Sequence, residues 1–530
     1  MILLFSFRTG ACWSLRMGYS SVVGFLILAS LSHLVSRSIA APATPTKSGQ
    51  PPASGRDPGV QEESDWVDNR WSRSDVGQFL ASNLAVPGGR VMKALSIKVG
   101  DHEEGAVCFD TGPCALRVGW LGGFLKFDPA RFGLINSPKI SGDVAFSSPA
   151  GPGWLGATNR YTGLHLHGKR VVLEYTVGDM RVLDSPWLET RGGFKIFVRS
   201  LELGPSSHQV NFVAAAGADD VAMTSGPRRA RAVVGQGNRK LAFAIIGADV
   251  DLLNQDGKLI LRLAAHDKPQ RLKLLLWSGE GSRLPDFYEI EKATTETEDL
   301  SALLSPGPAR WLPELKTVGQ RGLDTDILAV DTLTVPYDNP WKGLMFLAGI
   351  DFTTDGAAYV CTIHGDVWRV TGIDDKLREL RWKRFATGLF QPLGLKVREG
   401  QVFVLGRDQI TRLHDLNGDG EADFYENFSN LIDTADGHNY VTSLEKDNAG
   451  NFYYVDPRGV HRISPDGQRK ETLATGFRNP NGGGVSPDGK IITVAPQQGE
   501  WTPSSALCEI KAGGYYGYGG PKITPERPLG

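Results

Sequence analysis

Cysteine is scarce in this 530-residue sequence: there are five, none in a Cys-x-x-Cys-His arrangement, so the chain itself attaches no c-type haem. A positive excess is missing too. Lys and Arg number 57 against 59 Asp and Glu, a formal charge of −2, and no stretch is strongly basic, which excludes a nucleic-acid or anionic-membrane binder. After residue 40 no apolar run reaches the roughly 18 residues that a membrane helix requires. Residues 63–280 hold no nucleophile elbow, phosphate loop or metal-spaced cluster. Glycine, by contrast, is abundant: 64 residues, with no collagen-like period and with strong apolar runs around them. Many tight turns, and so an all-β protein, are expected. The length is too great for one ordinary core and calls for two or three domains.

The N-terminus reads as an address. Arg8 and Arg16 precede an apolar run from Val22 to Val35, and Ser38-Ile39-Ala40 has the small-x-small form of a cleavage site. A signal peptide over residues 1–40 is expected, with Met17 as an alternative start and a retained anchor as the competing reading. Export to the periplasm or cell surface follows. Cleavage removes Cys12 and leaves four cysteines. Cys108 and Cys114 bracket the turn sequence Phe-Asp-Thr-Gly-Pro, and a disulfide between them is expected in an oxidising compartment. Cys361 and Cys508 lie in strand-like runs and read as buried free thiols.

Residues 41–62, rich in Pro, Ser and Gly, read as a linker. Residues 63–280 alternate apolar and polar positions in short runs, with an Asp256-Gly257 hairpin signal, and predict a β-sandwich-like domain of unknown role. His165 and His167 share a strand face but lack a nearby acidic or Cys partner, so they read as surface strand positions. Residues 281–325 form a second linker, in which acidic, Thr-rich Glu289 to Leu304 predicts a short helix.

Residues 326–530 repeat. Aligned turn glycines at 356, 400, 450 and 489 are 44, 50 and 39 residues apart, the length of a β-propeller blade. Ala386-Thr-Gly-Leu-Phe-Gln-Pro-Leu-Gly394 recurs 88 residues later, two blades on, as Ala474-Thr-Gly-Phe-Arg-Asn-Pro-Asn-Gly482. Each copy precedes the innermost strand of a blade, and such segments rim one mouth of the central channel. Gln391, Arg478 and Asn479 therefore converge there, joined by His438 from the intervening blade. These residues suit a base, an oxyanion partner and orienting donors, or they merely cap strands and satisfy loop carbonyls.

Asp415-Leu-Asn417-Gly-Asp419-Gly-Glu421-Ala-Asp423-Phe-Tyr-Glu426 fits every ligand position of the twelve-residue calcium loop. The preceding Ile410-Thr-Arg-Leu-His is strand-like, so the expectation is a calcium loop carried by a blade. The alternative is an unoccupied Asx and Gly turn.

Gly476-Phe-Arg478-Asn479-Pro480-Asn-Gly482, Gln498-Gly499 and Gly513-Gly514-Tyr515-Tyr516-Gly517-Tyr518 together resemble the glucose/sorbosone dehydrogenase family, propellers that use pyrroloquinoline quinone. The whole chain is similar to membrane-bound dehydrogenases inferred in some bacteria, where a sandwich-like module, marked here by Cys108-Phe-Asp-Thr and Val118-Gly-Trp120, precedes the propeller. In many relatives a c-type cytochrome domain follows. The resemblance implies an exported sugar or alcohol dehydrogenase with His438 as the base that takes the hydroxyl proton. It places Arg478, Asn479 and, by a weaker match, Gln391 at the quinone, backbone near Gly499 at a calcium ion, and a c-type cytochrome as a possible electron acceptor. Two positions depart from the family: Gly437 stands where an acid precedes the histidine, and Glu-Trp-Thr-Pro-Ser-Ser follows Gly499 in place of an acidic run. About four blades fit before Gly530 where the family has six, so an incomplete propeller is expected, without the later basic residues that clamp the quinone. Two alternatives stay open: a non-catalytic propeller that binds carbohydrate or protein, and a calcium-dependent lactonase-like hydrolase.

Overall fold

The computed structural model describes residues 2–6, 70–216, 221–236, 238–323, 329–435, 437, 439–497 and 505–518. The all-β expectation is borne out: among the described residues strands dominate and one α-helix, Leu284–Ala293, interrupts them. That helix starts earlier than the sequence suggests, with Pro285 in its first turn, and stops before the β-branched Thr294 and Thr295. Of the expected leader only Ile2–Ser6 is described; its backbone pairs antiparallel with Ala329–Leu333.

The N-terminal part is a two-layer arrangement. One layer is a seven-stranded sheet built around Phe79–Val86, Gly89–Val99, Gly105–Asp110 and Ala115–Leu121. The period-two alternation of Gly105–Asp110 sends Val107 and Phe109 to one core and Ala106 and Cys108 to another. The first core is shared with Leu173, Tyr175, Phe197 and Phe212 of the facing sheets. The Asp256-Gly257 hairpin forms as its sequence requires, with φ of 51° and 68° between Asp251–Gln255 and Lys258–Leu263.

The C-terminal part is a run of four propeller-like sheets. Their first strands are Leu347–Phe352, Gly394–Arg398, Thr442–Lys446 and Gly483–Val485, each in contact with the next. The second blade, which continues through Gln401–Leu405, Ile410–His414 and Phe424–Ser429, does not end at its own outer strand. Phe424–Ser429 pairs antiparallel with Asn159–His167, so eight N-terminal strands and four blade strands make one twelve-stranded sheet. Gly163 permits the junction: a Cβ there would lie 2.5 Å from the Tyr425 carbonyl oxygen. The apolar core follows the sheet, joining Leu164, Leu173 and Phe79 to Leu389, Leu395, Val404 and Tyr425. The two blocks that the sequence separates are thus joined by backbone pairing and a common core.

The two histidines are placed differently from expectation. His165 is buried at the junction, stacked 4.2 Å from the Phe424 ring and 2.9 Å from Glu174, while His167 Nδ1 lies 2.8 Å from the Ser305 carbonyl. Burial alone would raise the Glu174 carboxyl, but the bonds from His165 and Arg181 win and hold it at about 2.

Replacing Gly163 with Val is expected to lower stability by about 2–4 kcal/mol. Calorimetry should show one shared transition moving down; two transitions, with only one displaced, would count against the continuous sheet.

Candidate functional site

The 88-residue echo is structural as well as sequential. Gln391 and Asn479, each before a proline, adopt left-handed φ of 41° and 37°, and the preceding Gly388 and Gly476 have φ of 80° and 91°. Leu393 N–H donates to the Leu405 carbonyl (3.2 Å) and Asn481 N–H to that of Ala495 (2.9 Å), which fixes each segment to its own blade. Left-handed backbone at two non-glycine residues stores strain that the surrounding blades hold in place.

The rim residues share this geometry but not an environment. Arg478 and Asn479 are half-exposed, and Arg478 Nη1 reaches the Gln497 carbonyl at 3.4 Å. Thr442 Oγ1, at the start of the third inner strand, donates to the Pro480 carbonyl at 3.0 Å and draws the third and fourth rim segments together. Gln391 is buried, and both ends of its amide are engaged: Nε2 donates to the Leu134 carbonyl (2.9 Å) and Oε1 accepts from Arg407 (2.7 Å). The weaker of the expected cofactor contacts is therefore a domain contact in this structure. His438 and Gly499 lie outside the described residues.

Arg407 is the member of this region that sequence reasoning missed. Fully buried, its Nη2 donates to the carbonyls of Ala435 (2.6 Å), Asn439 (3.2 Å) and Gly437 (3.3 Å), and its guanidinium lies over the Tyr440 ring at 4.8 Å. It thereby holds the turn on both sides of position 438. Burial lowers the guanidinium to about 10, because no carboxylate among the described residues pairs with it. The signal was its position in the turn after Gln401–Leu405, the same end of the blade as Gln391. Between Arg407, Gln391, Leu134 and Trp71 lies a void of about 10 Å³, room for roughly one water.

The twelve-residue loop is held by hydrogen bonds to its own backbone amides. Asp415 accepts from the Gly418 and Gly420 amides, Asn417 from Asp419 and Asp419 from Glu421, which are Asx turns. Glu421 faces away, bonded to Lys383 Nζ (2.5 Å) and to the amides of Arg310 and Trp311 (2.7 and 2.8 Å). Glu426 pairs with Arg412 and His414 on the neighbouring strand. Among the described residues no three His, Cys, Asp or Glu side chains converge as metal ligands. The spacing is correct; position seven of such a loop ligates through its backbone carbonyl, so the bonds of the Glu421 carboxylate leave that role untouched, while the position-twelve carboxylate of Glu426 is engaged by Arg412 and His414 of the preceding strand.

Cys108 and Cys114 are free rather than bridged. They belong to different cores: Cys108 packs with Ala106 and Trp120, Cys114 with Phe109 and Trp154. Burial pushes the Cys114 thiol up to about 12, and Cys108 is raised likewise. Cys361 is buried as expected, whereas Cys508 is only half-buried.

A family model described as a domain of unknown function (DUF6797) matches residues 107–184. No curated protein matches significantly. Among solved structures, the chain is similar to a proposed oxidoreductase (glucose dehydrogenase) from Thermus thermophilus, at 17% identity and TM-score 0.28, covering 35% of this chain and 69% of that one. A proposed 6-phosphogluconolactonase from Bacteroides uniformis shows 11% identity and TM-score 0.24, covering 67% and 97%. The extracellular domain of a proposed one-component system from B. thetaiotaomicron shows 10% identity and TM-score 0.19, covering 79% and 71%. These are likenesses of strand arrangement and carry nothing about chemistry.

Two tests follow from the buried acids. Burial raises Asp408 to about 6, with Lys93 the opposing charge, so its ionisation disfavours the folded state and stability falls as pH rises from about 4 to 6. Asp408→Asn should stabilise by about 1–2 kcal/mol at pH 7.5 and be neutral near pH 4, read from denaturant midpoints. Glu421→Gln should cost about 3 kcal/mol in denaturant midpoints, because it strands Lys383; a loss well under about 1 kcal/mol would show that the buried Lys383–Glu421 pair contributes little.

Proposed function

We propose that this chain is an exported, propeller-borne oxidoreductase of the glucose/sorbosone dehydrogenase type, acting on the CH–OH group of a sugar or alcohol. The observation that supports the reading is the Thr442-to-Pro480 bond, which ties the third inner strand to the rim segment that carries the half-exposed Arg478 and Asn479. A guanidinium and an amide on an open rim fit an anionic, carbonyl-rich cofactor such as pyrroloquinoline quinone. Gln391 does not fit, being engaged with Leu134 and Arg407. When bound, the quinone would supply the hydride acceptor. In this reading the chain's own residues do the rest. Arg478 and Asn479 orient the ligand, His438 takes the hydroxyl proton, and Arg407 fixes the turn that carries it. A c-type cytochrome is the natural class of electron acceptor. Among the described residues no helix is long and apolar enough to cross a membrane.

The second reading is a binding module for carbohydrate or protein: both ends of the Gln391 amide are engaged within the chain and the void beside it has room for about one water, which leaves that side of the rim no space for a quinone.

The deciding assay is dye reduction by the full chain with added quinone, a divalent cation and a panel of aldoses and polyols. Turnover is expected, with His438→Ala abolishing it and Arg478→Ala raising the quinone requirement about tenfold or more, while both variants stay folded. Carbohydrate binding that ignores quinone, with no turnover, would select the binding module.

A further inference from the structure

The short paired strands Leu125–Lys126 and Lys139–Ile140 of the N-terminal seven-stranded sheet are joined by residues 127–138, a loop whose ends are close. The loop is closed at its base by Asp128, which accepts from Ala130 N–H (2.8 Å) and from Asn136 Nδ2 (2.7 Å). Its tip bridges its own domain and the propeller: Gly133 packs on Trp71, while its neighbours reach the blades. Phe132 is buried against Phe346 (5.1 Å between rings), and its carbonyl oxygen lies 3.3 Å from His364 Nε2, both partners belonging to the first blade. The next residue but one, Leu134, offers its carbonyl oxygen to two rim donors, Gln391 Nε2 (2.9 Å) and Tyr440 Oη (3.2 Å). Rim segments of three successive blades thus meet one loop of another domain.

The tip is held under tension. Arg131, Phe132 and Gly133 take consecutive left-handed φ of 49°, 54° and 76°. Two of these have side chains that disfavour that region, so the contacts maintain the conformation and their loss would let it relax. Gly133 is required on a second count, since a Cβ there would lie 2.4 Å from the Trp71 ring. Outside the aromatic contacts the loop is bound mainly by hydrogen bonds to single carbonyl oxygens.

We propose that residues 127–138 are a lid that the N-terminal domain lays over the propeller rim, latched by Phe132 and His364. The inference rests on these contacts and not on the redox reading of the site. Two donors converging on the Leu134 oxygen are what an oxygen-bearing ligand would meet if the lid lifted.

The latch is acid-sensitive. His364 is buried between Trp71 and Phe346, its Nδ1 has no partner among the described residues, and burial lowers it to about 4. Charged groups nearby are Arg70 over the Phe132 ring, Asp366 on the same turn with its partner Arg384 on the strand Leu380–Ala386, exposed Arg131, and Asp128 at the lid base, and among the described residues none bonds the imidazole. A lowered histidine contributes closure above its free value near 6.5 and loses it as pH falls toward 4. Asp408 and Asp423 have the opposite sign, since acid relieves their buried charge.

Hydrogen exchange by mass spectrometry on the ligand-free full chain tests this. Relative to a peptide covering Arg170–Val177 and corrected for intrinsic rates, exchange of the 127–138 peptide should rise on the order of tens of fold between pH 7 and 4.5. His364→Gln should abolish that rise, and Phe132→Ala should open both 127–138 and the 388–393 rim at pH 7. A lid as protected as the core strand at pH 4.5, or one that opens equally in wild type and His364→Gln, overturns the proposal. So does Phe132→Ala that folds but leaves the rim protected. Because no ligand enters the experiment, failure of the dehydrogenase reading leaves this result standing, and the converse holds.

Discussion

The structure depends on one short stretch of antiparallel pairing, Gly163 to His165 against Phe424 to Glu426. A propeller blade normally ends at its outer strand, whose free N–H and C=O groups must be protected from stray pairing. Here the second blade's outer edge is covered by a strand of the N-terminal domain, and that strand's other edge continues into seven further strands. The junction fixes the relative placement of the two parts, because a one-residue slip would invert every side chain across it. The same register sets His165 opposite Phe424, on whose ring it stacks, and Glu426 opposite Gly163.

With that placement fixed, the lid's reach onto the rim is a consequence of geometry. Trp71, stacked on Phe127 at 4.0 Å, supports the loop from below, and Phe132 continues the aromatic contact onto the first blade. The rim is then divided. Its Gln391 and Tyr440 side is occupied by the Leu134 carbonyl, while Arg478 and Asn479 stay half-exposed. Arg407 ties the first of these sides together, taking Gln391 with one nitrogen and the carbonyls at 435, 437 and 439 with the other. A buried guanidinium whose two terminal nitrogens are held by carbonyl oxygens rather than by a carboxylate is a rigid clamp.

Local features are legible in the sequence and long-range ones are not. The Asp256-Gly257 turn and the Gln391/Asn479 echo are written in adjacent residues, and both form. The calcium-loop spacing is equally plain, but the partners that bury the Glu421 carboxylate, Lys383 and the Arg310 amide, come from elements that spacing cannot see. Gln391 illustrates the same limit, since its decisive neighbour Leu134 is 257 residues away. The expected pairing of Cys108 with Cys114 fails for a more local reason. A turn brings two chain segments near each other, but strand alternation decides which face each thiol joins, and these join different cores.

The central claim is that the N-terminal domain and the propeller are one structural unit joined through Asn159–His167. Native-state hydrogen exchange across a denaturant series measures this directly, by assigning an opening free energy to each strand. The account predicts that amides of Asn159–His167 and Phe424–Ser429 converge on a single opening isotherm shared by both parts. Separate isotherms, with Phe424–Ser429 following only the propeller strands and Asn159–His167 only the N-terminal sheet, would contradict it.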